Sequence, residues 1–131
     1  MEIVIVKEKM YGNDKEILTI KDNGIYYEEN NSFPRLISDN SDLIDTLFTR
    51  FFSITYTWKQ DYIGARTMDG YKYLVTMDIN HKRKSYKIQN KFPDNWEEFI
   101  DLKDSLLERA DLTMITMVKE LLKVEIMLEN I

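Results

Sequence analysis

Asp69-Gly70-Tyr71-Lys72-Tyr73-Leu74-Val75-Thr76-Met77-Asp78-Ile79-Asn80-His81-Lys82-Arg83-Lys84-Ser85-Tyr86-Lys87-Ile88-Gln89-Asn90-Lys91-Phe92-Pro93-Asp94-Asn95-Trp96-Glu97 is the stretch that decides the fold. After an Asp69-Gly70 turn, Tyr71, Tyr73, Val75, Met77 and Ile79 alternate with Lys72, Leu74, Thr76 and Asp78, the period of two by which a strand separates its faces. A basic loop, Asn80-His81-Lys82-Arg83, leads into a second strand over residues 84–88, with Tyr86 and Ile88 set against Ser85 and Lys87. Pro93 stops that strand, because proline has no N–H to give to a ladder. Asp94 and Glu97 stand three apart like a capping box, opening a helix whose buried face is Trp96, Phe99, Ile100, Leu106, Leu107 and Ala110. Lys103 intrudes near the centre of that face, and its stem is expected to lie on the core edge and carry the ammonium to water.

The N-terminal third reads as a meander. Ile3-Val4-Ile5-Val6 is a continuous β-branched run, which predicts a central strand covered on both faces. Residues 16–20 follow as a second strand, and Asp22-Asn23-Gly24 is a hairpin signal, since Asn-Gly accepts the positive φ of a type I′ turn. Ile25, Tyr26 and Tyr27 then pair back. Residues 30–38, with Pro34 and a polar cluster, read as a surface loop. Asp39-Asn40-Ser41-Asp42 offers helix caps, and Leu43, Ile44, Leu47, Phe48, Phe51 and Phe52 recur at steps of three and four, so all three phenylalanines are expected in the core. Tyr56, Trp58 and Tyr62 fall on alternate positions and predict an aromatic strand over residues 54–62.

These elements predict an α+β fold: a mostly antiparallel sheet of five or six strands, two main helices on one face, and a C-terminal helical extension. One domain over residues 1–108 and an extension over residues 109–131 suit a chain of 131 residues. Beyond Leu107, apolar residues keep alternating three and four steps through Ala110, Met114, Met117, Leu121, Val124, Leu128 and Ile131, with Val118 and Leu122 widening the stripe. One helix from residue 94 to 130 would be about 55 Å long at 1.5 Å per residue, far beyond a compact domain with a radius of gyration of roughly 14 Å. The helix therefore either breaks near Arg109-Ala110-Asp111 or buries its stripe against another subunit. Met114, Met117, Val118, Leu121, Leu122, Val124 and Leu128 are the expected self-association surface, in a homodimer.

Composition narrows the function classes. With no cysteine there are no disulfides, thiolate metal sites or cysteine nucleophile, which fits a cytoplasmic protein. A net charge of -5 with mixed signs disfavours general polyanion binding, and no apolar run is long enough to span a membrane. His81 is the single histidine, so no multi-histidine metal site exists, and the four glycines are too dispersed to cradle a phosphate. The acidic stripe Asp94, Glu97, Asp101, Asp104, Glu108 and Asp111 reads as a solvated helix surface rather than a metal site. No enzyme activity and no cofactor are expected. The candidate ligand or partner surface is Trp58, Tyr62, Tyr71 and Tyr73 with His81, Lys82, Arg83 and Lys84. Nucleic acid could use such a set, through phosphates on the basic groups and bases on the rings, but a solvated hairpin tip is the preferred reading.

From Asp69 through Tyr86-Lys87-Ile88 to Phe92-Pro93 and the helix, the block resembles the second half of emfourin-type proteins, small proteinaceous inhibitors of thermolysin-like metallopeptidases. That resemblance implies a β-meander, an intervening helix, a terminal hairpin and a last helix packed on one sheet face, and as activity the inhibition of such a peptidase. The family's glycine-rich tip after the first strand is here Glu8-Lys9-Met10-Tyr11-Gly12-Asn13, with one glycine, so no inhibitory residue is carried over. The favoured expectation is a non-enzymatic protein-binding or regulatory module that self-associates. A peptidase inhibitor and a small-ligand binder are the alternatives.

Overall fold

The computed structural model describes residues 1–65 and 70–108. The expected self-association residues Met114, Met117, Val118, Leu121, Leu122, Val124 and Leu128 lie outside this range, as do Arg66 and Asp69. The described strands are β1 (Glu2–Lys9), β2 (Lys15–Lys21), β3 (Gly24–Glu29), β4 (Arg35–Ser38), β5 (Asp61–Ile63), β6 (Tyr71–Ile79) and β7 (Lys82–Gln89). They form one seven-stranded sheet in the order β4-β3-β2-β1-β6-β7-β5, so β1 is central. Every neighbouring pair is antiparallel except β5 beside β7. The fold is α+β with a mostly antiparallel sheet, but the described residues form seven strands where five or six were expected. One extra is β4, which occupies residues expected to be loop.

Alternation sorts the sheet into two faces. Ile3, Ile5, Leu18, Ile20, Ile25, Val75, Met77, Tyr86 and Ile88 point one way and are buried. Helix α1 (Ser41–Thr55) adds Ile44, Leu47, Phe48, Phe51 and Ile54 to the same core. A second helix, α2, described over residues 96–108, adds Phe99, Leu102 and Leu106. Leu102 was not among the residues expected to face inward. Phe99 is fully buried, with ring centroids 5.2 Å from Phe51, 5.0 Å from Trp58 and 5.4 Å from Trp96. Among the described residues no helix is long and apolar enough to cross a membrane.

Several local expectations are corrected. α1 runs on through Ile54 and Thr55, and of the expected aromatic strand only residues 61 and 62 are strand, in β5. Ile54 and Thr55 sit three and four positions after Phe51, so helical geometry buries them, and the Thr55 hydroxyl bonds the Phe51 carbonyl at 2.9 Å. Phe52 turns outward and is 40% exposed, unlike Phe48 and Phe51. The side chain of Asn40 caps α1, accepting from Leu43 N at 3.0 Å. At the next helix, the Asn95 carbonyl accepts the first helical bond, from Phe99 N at 3.1 Å, while the Asp94 carbonyl takes the Trp58 indole N–H at 2.9 Å. Asp94 is therefore outside the expected cap position.

The two hairpins exchange their expected chemistry. Gly24 is already the first residue of β3, paired with Lys21, and neither Asn23 nor Gly24 has a positive φ. The type I′ geometry belongs instead to Asn80 and His81, with φ of 53° and 65°, and Lys82 pairs directly with Ile79. The expected four-residue basic loop is thus a two-residue turn. At the far edge, Gly64 N donates to the Gln89 carbonyl at 2.7 Å, and a Cβ on Gly64 would collide with the Asn90 carbonyl.

If Phe99 holds the core together, Phe99→Ala will cost about 3–5 kcal/mol in urea denaturation. Phe52→Ala, made at a helix surface, will cost less than about 1 kcal/mol.

Candidate functional site

The sheet face turned away from the helices is built from the alternate set of strand residues. Val4 lies opposite Thr19 on one side and Thr76 on the other, and Val6 lies opposite Ile17 and Leu74. The first row continues through Tyr26 to Leu36 and, in the other direction, to Ser85. The second continues to Glu28 and Lys87. An open face of an antiparallel sheet ordinarily carries polar side chains. Here the central positions are Val4, Val6 and Ile17, half-buried by one another, with Leu74 and Leu36 36% and 51% exposed. No described helix covers them, which corrects the expectation that the first strand is covered on both sides.

Charge pairs border the two rows. Glu8 Oε1 and Oε2 each stand 3.8 Å from a lysine, Lys15 and Lys72, at one end, and Glu2 Oε2 stands 4.0 Å from Lys21 at the other. An apolar centre within a polar rim is the usual anatomy of a protein interface. The edge strands are short, four residues in β4 and three in β5, and so offer little template for pairing edge to edge.

The expected ligand surface does not come together. Trp58 is buried against Tyr86, Trp96 and Phe99, and Tyr73 is half-buried with its ring 4.8 Å from Trp96. Both rings are packed beneath α2 rather than offered for stacking. The Tyr62 hydroxyl accepts from Lys59 N at 2.8 Å. Tyr71 lies at the opposite end of β6 from the turn, roughly 26 Å away at about 3.3 Å per residue, with Lys7 Nζ 4.2 Å from its ring centroid. The basic run is itself divided: register puts Arg83 beside Asp78 on the open face, and Lys82 and Lys84 beside Ile79 and Met77 on the helix face. His81 stands exposed at the turn. Among the described residues no three acidic or histidine side chains converge as metal ligands.

Lys103 departs most from expectation. It is 2% exposed, with its ammonium 3.6 Å from Glu16 Oε2, 3.4 Å from Asp104 Oδ1 and 5.9 Å from the Tyr73 ring centroid. The distance to Glu16 suits an ion pair but is too long for a hydrogen bond, and Glu16 Oε2 is buried without one. α2 crosses the sheet here, so the stem cannot reach water as expected. Burial pushes the Tyr73 hydroxyl up to about 12, with the carboxylates of Asp104 and Glu16 adding to the shift. Tyr27 is raised too, chiefly by burial and then by Glu16 and Glu29.

No family model, curated protein or solved structure matches this chain.

The raised Tyr73 value fixes the sign of an alkaline effect. A tyrosine whose folded pKa lies above its unfolded value of about 10 stabilises the fold below that value and loses the contribution as pH rises through the folded one. Stability is expected to fall between about pH 10 and 12. Tyr73→Phe should reduce that fall and remove one late-titrating group from the absorbance titration of the tyrosinates.

Proposed function

We propose that this chain is a non-enzymatic protein-binding module that associates with a second copy of itself. The observation that carries the proposal is the contiguity of Val4, Val6, Ile17 and Leu74 on a sheet face that no described helix covers, with Leu36 exposed further along the row from Val4, beyond Thr19 and Tyr26. Scattered apolar residues on a surface need no explanation, but adjacent ones inside a charged border call for a partner. The two rows span six strands and, at about 4.8 Å between strands, cover roughly 300 Å², of which the apolar centre is a part. Stable interfaces bury about 800 Å² on each partner, so this face alone is too small. The stripe of Met114, Met117, Val118, Leu121, Leu122, Val124 and Leu128 supplies the remaining apolar area in this proposal.

Sedimentation equilibrium of the full chain from low to high micromolar concentration tests the proposal, with a dimer as the expected species. Leu74→Asp and Leu121→Asp should each weaken association at least about tenfold while leaving the far-UV spectrum unchanged, because each puts a charge where the proposed dimer would bury a leucine. A chain that remains monomeric at high micromolar concentration overturns it.

A further inference from the structure

On the helix side of the sheet, the outer end of α1 stands away from the β6–β7 turn and leaves a cleft of about 350 Å³. Its floor is Met77 and Tyr86, which are buried, with half-buried Ile79 beside them. Phe52 and Tyr56 form one wall, their ring centroids 5.9 Å apart, and Tyr56 is 68% exposed. The opposite rim carries Lys82 and Lys84. Lys84 Nζ lies 5.9 Å from the Phe52 centroid and 6.0 Å from that of Tyr56. Among the described residues neither lysine has a carboxylate within ion-pairing distance.

The polar groups of the floor are already engaged. Thr55 Oγ1 lies 2.9 Å from the Phe51 carbonyl and 3.2 Å from Met77 Sδ, and the Tyr86 hydroxyl donates to the Thr55 carbonyl at 3.5 Å. An occupant therefore meets apolar and aromatic surface below and two unpaired ammonium groups at one side. The volume falls at the lower end of the range for small-ligand sites. We propose that this cleft between α1 and the β6–β7 hairpin binds a small aromatic carboxylate, with the ring on Met77, Phe52 and Tyr86 and the carboxylate between Lys82 and Lys84. This site is on the other side of the sheet from the proposed association face and stands independently of it.

Lys84 has a competing role. α1 has no basic residue in its last turn, and a cation near its carbonyl end would stabilise the helix whether or not anything binds. That role would show in stability and not in ligand affinity.

Titration of the full chain with 2-naphthoate and with its neutral isostere 2-naphthamide separates the two roles. Calorimetry gives the affinities, and the methionine methyl resonances locate the site, with Met77 assigned by Met77→Leu. Saturable one-site binding of 2-naphthoate that shifts the Met77 methyl is expected, with 2-naphthamide at least about tenfold weaker, since only the carboxylate makes charge-assisted bonds to the ammonium groups. Lys82→Gln and Lys84→Gln together should remove that preference for the anion while the protein stays folded. Equal affinity for the two compounds, a preference that survives both lysine substitutions, or no shift at Met77 overturns the proposal.

Discussion

Phe99 is the contact through which the separate parts of this fold meet. Its ring touches Phe51 from α1, Trp58 from the connection after it and Trp96 one turn earlier in α2. Trp58 and Trp96 extend the cluster to Tyr86 on β7 and Tyr73 on β6. Edge-to-face and tilted aromatic contacts add directional preference to the area they bury, so the cluster fixes angles between elements as well as holding them together. With both helices committed to this core, the opposite sheet face has no described helix above it. The one-sided architecture follows from that commitment, and the uncovered rows through Val4 and Val6 follow from the architecture.

The core is not wholly apolar. Lys103 is buried where α2 crosses the sheet, with Glu16 from β2 and Asp104 beside it and the Tyr73 ring below. Taking charges out of water costs several kcal/mol per ion, and the attraction between them in the interior offsets this only when the geometry is good. A gap of 3.6 Å with an unbonded carboxylate oxygen is not ideal geometry. The pair is therefore weak evidence for extra stability. Its clearer effect is positional: sliding α2 along its axis would carry the buried ammonium, with Asp104, away from Glu16 on β2, so the pair disfavours other registers of the helix.

Strand alternation also governs how charge is presented. Lys82, Arg83 and Lys84 are consecutive in the chain, yet pairing with Ile79, Asp78 and Met77 sends the middle residue to one face and its neighbours to the other. What looks like a single basic patch becomes an arginine near the open sheet and two lysines on the rim of an aromatic cleft. The two faces consequently differ in character, one broad with an apolar centre, the other an aromatic cleft with two lysines on its rim.

Much of this was legible from residue order. The alternation in β6, the three-and-four spacing in α1 and the proline stop before α2 placed those elements, because period and punctuation are local properties of a chain. Alternation at Tyr56, Trp58 and Tyr62 misled, since three aromatics at even spacings of two and four cannot exclude a helix that is held by Ile54 and Thr55 in a distant core. The β4 strand was hidden for a similar reason: four edge residues, Arg35–Ser38, gain their structure from pairing with β3. Local pattern announced that the sheet has two unlike faces, but not which one the helices cover. Nor could it say that Lys103 would be sealed in or Phe52 turned out. Those outcomes depend on where helices settle across a sheet, which is decided by contacts between residues far apart in sequence.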